Sequence, residues 1–475
     1  MKFVNSFATF VLFIIFLMGC AVGPNYQKPE YDLPETYENN FGSNDSLVNL
    51  QWWTIFEDTV LYQLINYALE NNQSALIAAQ RVEEARNVLG FTRADIYPQL
   101  DIQGNYNYRN QFIPGVGETS DDNLHVFQAT LPFSWEIDFW GKFRRANEAA
   151  RAELVSSEFG YRAVMISLIS EVATTYFTLL DYRKRLEIAN DTWESRKESV
   201  RIIQDRFDEG YVPEIDLNQA QIQEAIALAA IPSFERFVRT TENALNLLLG
   251  RYSEPIPANS TLYEQNIPDS IPVGFPAQLI TRRPDVLQAE YALVAQNARI
   301  GVAQGQRFPA ISLTGLIGVS GAGTSFTTGD MIWSVGGSLL GPVFNFGKNL
   351  RRVDIERARF QQSFLSYELA VLTAVNEVEN ALIGIETYQD EFEAANYRVR
   401  AARNANTLSQ SRYDGGVTSY LEVLESDRSK FDAELFASQT LRAYLVSYVD
   451  IYKALGGGWL NEEEAQGVVE AANEE

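Results

Sequence analysis

"RYDGGVTSYLEVLESD" at residues 412–427 repeats the plan of "RFDEGYVPEIDLNQAQ" at 206–221. Each begins with arginine, an aromatic residue and aspartate. Each then breaks at glycine, Gly415 and Gly416 in one and Gly210 in the other, before helical periodicity resumes. The offset is 206 residues, and it also pairs Trp140-Gly141-Lys142 with Phe346-Gly347-Lys348 and Glu171-Val172 with Glu377-Val378. Farther upstream an offset of 211 pairs "LGFTRADIYP" (89–98) with "IGVAQGQRFP" (300–309). Landmarks that recur in one order mark an internal duplication, and a duplication governs every later inference about fold. The copies occupy 60–250 and 285–457, and the connector 251–284 holds six of the sixteen prolines.

Both copies spell the same order of elements. A helical run (about 72–96, then 285–307) ends at Tyr97-Pro98 or Phe308-Pro309, because proline cannot continue it. Two strand-like segments follow, at about 99–110 and 124–137, then about 310–320 and 331–344. A long helix is expected over 142–209 and 348–414, free of proline, and a return helix over 214–249 and 420–455. A run of that length approaches roughly 100 Å at 1.5 Å per residue. Pro232 is expected to kink the first return helix.

The strand segments alternate. Leu100, Ile102, Tyr106 and Tyr108 share one face, and Phe127, Ala129, Leu131, Phe133 and Trp135 share another. Ile311, Leu313, Ile317 and Val319 follow the same rule, as do Met331, Trp333, Val335 and Leu339. A half-buried soluble sheet would alternate too. Yet the opposite faces carry mainly small or hydrogen-bonding residues, and a tilted membrane strand needs about 9–11 residues. Four strands cannot close a barrel, and an open edge cannot sit in lipid. The chain must pool strands with copies of itself, about eight in a dimer or about twelve in a trimer.

The amino terminus reads as a targeting segment. Lys2 precedes an apolar run from Phe7 to Met18, too short to span a membrane. It ends in Leu17-Met18-Gly19-Cys20, and Cys20 is the sole cysteine. A chance cysteine near an ordinary cleavage site is one reading. The sharper one is a lipoprotein signal peptide (1–19) with lipid on the Cys20 thiol, and a lipidated extension over 20–59. The covalent lipid would be the sole attached group, with no cofactor and no metal. Ala21 after the cysteine fits sorting to the outer membrane, and one cysteine excludes an intramolecular disulfide.

Charge and motif content narrow the function class. The net charge of −24 would repel a phosphate backbone, so nucleic acid is not an expected partner. His125 is the one histidine, and it sits beside a strand. "GVSGAG" (318–323) misplaces the last glycine of a nucleophile elbow, and "GPVFNFGK" (341–348) lacks P-loop spacing. No catalytic residue is expected. The acidic end, 458–475, reads as a disordered tail.

Four stretches resemble a known family: "CAVGPNYQKP" (20–29), "ITRRPDVLQAEYALVAQNARIGVAQGQRFPAISLTGLIG" (280–318), "GPVFNFGK" (341–348) and "YKALGGGW" (452–459). They look like the outer-membrane efflux lipoproteins, the outer-membrane factors that resemble TolC, of the NodT and OprM type. The resemblance implies a mainly α chain with a membrane β-barrel: a homotrimer sharing a twelve-stranded barrel above a periplasmic α-helical barrel. It implies a lipid-anchored exit duct in the Gram-negative outer membrane. Such a duct works with a periplasmic adaptor (membrane fusion) protein and an inner-membrane pump of the resistance-nodulation-division (RND) type. A pore-less lipid-anchored coiled-coil scaffold and a type I protein-secretion channel are the competing readings.

The resemblance also assigns the stretch at 412–428. In the family such helix-turn-helix tips close the periplasmic end, and acids there line its narrowest ring. Carried over, Glu422 and Glu425 are those acids, and Gly210, Gly415 and Gly416 are the tip turns. Repeated by threefold symmetry the acids would attract cations and raise each other's proton affinity. Asp216 and Tyr413 match positions that link the copies in the family. Thr418 stands where the best-known relative has arginine, so that charged link is expected to be missing. Ser419 and Glu422 also fit a capping box, which alone could explain Glu422.

Overall fold

The computed structural model describes residues 21–31, 52–112, 119–257, 260–267, 281–322 and 329–457, with isolated positions 467, 470 and 473. The signal peptide, Cys20 and nearly all of the acidic tail lie outside the described residues.

After a 3-10 turn at Trp52–Phe56, the first copy runs α1 (Thr59–Asn71), α2 (Gln73–Ala94), β1 (Gln99–Leu100), β2 (Gln103–Phe112), β3 (Thr119–Ile137), α3 (Lys142–Asp208) and α4 (Glu214–Leu248). The second runs α5 (Pro284–Gly305), β4 (Ala310–Ala322), β5 (Asp330–Leu340), α6 (Lys348–Asp414) and α7 (Tyr420–Ala454). The duplication is exact at the level of the long helices. α3 and α6 each have 67 residues, α4 and α7 each have 35, and all keep the 206-residue offset. Gly141 and Gly347 open α3 and α6 with φ of +74° and +80°.

The strands form one antiparallel sheet in the order β2-β3-β4-β5, with β1 beside β3. Register sets Phe133 opposite Gly315 and Gly315 opposite Val335, and Leu131 opposite Ile317 and Ile317 opposite Trp333. One face therefore gathers Phe127, Leu131, Phe133, Trp135, Ile317, Val319, Met331, Trp333 and Val335. The other carries Gln128, Thr130, Ser134, Ser312, Thr314, Ser320, Ser334 and Ser338. Among the described residues nothing covers the apolar face at β5, where Met331, Trp333 and Val335 are each more than 70% exposed. From Phe127 to Ile137 the apolar band runs about 33 Å along the strand, or about 25 Å in height once tilted, the thickness an outer membrane presents.

Three strand limits differ from the sequence expectation, the first being the start of β3, which pairs from Thr119 rather than from about 124. The first segment breaks at Asp101-Ile102, although the Asp101 N–H still bonds to Pro132 O at 2.9 Å. β5 ends at Leu340, four residues early, because Gly341 abuts Pro309 and Pro342 has no N–H to give to a ladder. α4 stays helical through Pro232.

The core lies where the long helices pass each other at mid-height. Trp52 stacks on Tyr452 with centroids 5.4 Å apart, and Phe56 meets Phe177 edge-on at 5.0 Å. Asp58 caps α1 through the N–H groups of Val60 and Leu61, and also accepts from the Tyr176 hydroxyl at 2.8 Å. Arg283, buried, joins Asp285, Glu377 and the carbonyl of Ala454. α3 is long and apolar enough to cross a membrane by composition, but its residues from Leu168 to Leu180 supply this core.

Candidate functional site

The hairpin tips hold the residues singled out from sequence, and both tips are built alike. Gly210 takes φ +77°; its N–H bonds to Phe207 O at 2.9 Å, and the Tyr211 N–H to Arg206 O at 2.8 Å. Gly416 takes φ +70°, with matching bonds to Tyr413 O and from Val417 to Arg412 O, both 2.9 Å. This pair of bonds satisfies the last helical carbonyls and needs left-handed backbone at the glycine. Gly415 has φ −77° and no such need.

Glu422 lies in the first turn of α7, but the capping box does not form, since the Ser419 side chain makes no cap hydrogen bond. Glu422 instead accepts a hydrogen bond from the Thr418 hydroxyl, and Arg412 Nε stands 3.5 Å from its other oxygen. Glu425, a turn further in, is exposed and 3.6 Å from Arg428. Leu421, four residues before Glu425 and so on the same helix face, is exposed as well. The i, i+4 spacing was the available signal for Leu421.

Behind these exposed groups the two copies meet. Ile203, Leu217 and Ala220 from the first hairpin pack on Tyr420, Val423 and Leu424 from the second. The structure places Tyr413 with Tyr420, centroids 5.3 Å apart, and under the Arg206 guanidinium, 5.0 Å from the ring. Arg206 Nη2 is 3.3 Å from Asp414 Oδ1. Its pKa is raised, first by the neighbouring Tyr413 hydroxyl and further by Asp414. Burial pushes the Tyr420 hydroxyl up to about 12, helped by the charge of Asp427, Tyr413 and Asp216. Deeper, the buried Arg196 bonds to Asp427 at 2.7 Å and to Gln223 O at 2.8 Å. Thr418 makes no charged link itself, its hydroxyl going to Glu422, but Arg206–Asp414 and Arg196–Asp427 join the copies by charge from other positions.

A second built place lies at the foot of the sheet. Val22 N–H bonds to Trp140 O at 3.0 Å, Arg145 Nη2 to Asn25 Oδ1 at 2.7 Å, Asn297 Nδ2 to Pro24 O at 3.0 Å, and Lys28 pairs with Glu290 at 2.8 Å. Gly23, at φ +112°, lies against Gly301 so closely that a side chain could not fit. Ala21 rests against Gly141. Trp140 stacks on Phe308 at 4.4 Å beside it. Among the described residues no group of three or more His, Cys, Asp or Glu could hold a metal ion.

An apolar-faced sheet with unpaired edges, mounted on two helical hairpins in exact register, defines a channel-forming protein of the outer membrane. The chain belongs to the outer membrane efflux protein family, whose model matches residues 64–251 and 275–457. It is 32% identical over 450 residues to the cation efflux system protein CusC of Escherichia coli O6:H1, covering 93% of this chain and 96% of that protein. It is 33% identical to the solvent efflux pump outer membrane protein SrpC of Pseudomonas putida, covering 97% and 99%. The Campylobacter jejuni CmeC outer membrane channel superposes with a TM-score of 0.86 at 25% identity, covering 95% of this chain and 98% of that one. The protein is an outer-membrane channel of an efflux system, in a family of transport channels.

Proposed function

We propose that three copies close a twelve-stranded barrel, and that the chain is the passive exit duct of a tripartite assembly with a periplasmic adaptor and an RND-type inner-membrane pump. The observation that carries this reading is the sheet: four strands, an uncovered apolar face, and unpaired edges at β2 and β5. An edge in lipid must be paired, and copies of the same chain supply matching strands. The lipid anchor fits the foot of the sheet, since Ala21 is held at Gly141 and Cys20 is the next residue back. Relatives named for cation efflux and for solvent efflux share the family, which fits a duct that takes whatever its pump delivers.

Glu422 and Glu425 line the periplasmic constriction in this reading, with Leu421 beside them. Glu425 supports it best, being exposed and outside any capping role. Asp216 acts there through its charge on Tyr420, and Thr418 by orienting Glu422. The test is single-channel conductance in planar bilayers, parent against an E422A/E425A double variant. Divalent cations should block the parent and spare the variant. Equal block of both removes the acids from the constriction, and absence of any conductance from purified parent protein favours a scaffold without a pore.

A further inference from the structure

The duplication allows one contact to be transferred from inside the chain to its boundary. Arg206 near the end of α3 reaches Asp414 at the end of α6, 3.3 Å away, and lies over the Tyr413 ring at 5.0 Å. Shifted by the 206-residue offset, Arg206 becomes Arg412, Asp414 corresponds to Asp208, and Tyr413 corresponds to Phe207. The equivalence extends to supporting atoms. Gln204 donates to Asp208 at 2.9 Å, just as Gln410 donates to Asp414 at 3.1 Å, each from one turn earlier. Both acids are therefore oriented by the same device, and Asp208 is exposed at its own tip.

Within one chain the first hairpin offers the arginine and the second offers the acid and the ring. The reciprocal set, Arg412 with Asp208 and Phe207, is not assembled within the chain. Arg412 instead points its Nε at Glu422 across 3.5 Å, longer than a good hydrogen bond. A ring of alternating first and second hairpins has two kinds of seam, one inside each chain and one between chains. Equal helix lengths and identical turn geometry at both tips let the second seam copy the first.

We propose that Arg412 of one copy pairs with Asp208 of the next copy and lies over its Phe207, forming the tip seam between chains. This rests on the closed ring proposed above. It also ties the seam to the constriction, because the arginine that faces Glu422 in the isolated chain is the one the next copy recruits. Glu422 then keeps Thr418 as its donor and carries its full charge into the ring.

The test is a charge exchange combined with cross-linking, on full-length lipidated protein in detergent. Light scattering first reports the number of chains per particle; a single chain would overturn the ring itself, and this seam with it. In a D208C/R412C variant a short bis-maleimide should give covalent species of two and three chain masses, absent from either single variant. D208R and R412D should each lower the temperature at which the assembly dissociates, and D208R/R412D should restore it. Intact trimers with neither cross-linking nor restoration would overturn the seam while leaving the ring standing. If R412D acts only by freeing Glu422, D208R cannot rescue it, and that result also counts against the pair.

Discussion

Arg196 Nε lies 2.7 Å from Asp427 Oδ2, across 231 residues of sequence, and so fastens α3 of the first copy to α7 of the second. The guanidinium is only 5% exposed and stacks over Phe431 at 5.1 Å. Removing one member of a buried pair strands the other, at a cost of about 3–5 kcal/mol. R196M should therefore destabilise the hairpins by about 3 kcal/mol, since Asp427 retains some solvent to soften the loss. R196M/D427L should be milder than R196M alone. Thermal unfolding followed by circular dichroism reads both, and equal losses would mean that packing, not charge, joins the copies here.

Adjacent glycines at the second tip should respond differently. Gly416 has left-handed backbone and nothing within 4 Å of an added Cβ, so alanine there meets strain without a clash. That strain is about 1–2 kcal/mol. Gly415 already has φ −77°, so G415A should be neutral or stabilising by up to about 1 kcal/mol through the unfolded chain. G210A should mimic G416A, because Gly210 shares its φ and its open surroundings. Hydrogen exchange of the tip amides is the measurement.

The sheet contains a sterically closed glycine. A Cβ on Gly318 would stand 2.2 Å from Ala129 O and 2.7 Å from Thr130 Cα, both backbone atoms that cannot swing away. G318A should therefore disrupt pairing of β3 with β4 and abolish the heat-modifiable barrel seen by electrophoresis of outer membranes. G315A meets Ser334 O at 3.2 Å and should be accepted with a small loss. Normal barrels in G318A would place the β3–β4 register elsewhere.

These features were unequally legible from sequence. The duplication, the apolar face and the glycine turns show themselves because each is local or periodic: Gly210 and Gly416 interrupt helical runs, and Trp333 and Val335 alternate with serine and glycine. The assembly follows from counting strands. What stayed hidden depends on contacts far apart in the chain. Nothing near Arg196 marks Asp427 as its partner, and nothing in "GPVF" announces that Gly341 will press on Pro309 and end β5. The capping box misled for a related reason. Ser419 and Glu422 have the right spacing, but Thr418 and Arg412 compete for the carboxylate, and only the folded tip decides.

Tyr420 gives the tip a dependence on alkaline pH. In the unfolded chain its hydroxyl ionises near 10.0; in the fold, burial first and then the charges of Asp427, Tyr413 and Asp216 raise this to about 12. The folded state therefore holds a proton that the unfolded state releases in that interval. Stability is independent of Tyr420 below pH 10, falls as pH rises from 10 toward 12, and levels off beyond, the sign required when the native state binds more protons. Tyr452, also raised to about 12 by burial, contributes the same trend in the mid-height core. Y420F keeps the ring against Tyr413 and removes the ionisable group, so its denaturation midpoint should fall less steeply over that interval than the parent's, while Y452F provides an independent comparison away from the tip. Parallel curves for parent and Y420F would mean that the Tyr420 hydroxyl reaches solvent at the tip, and that the seam between the copies is open in the assembled channel.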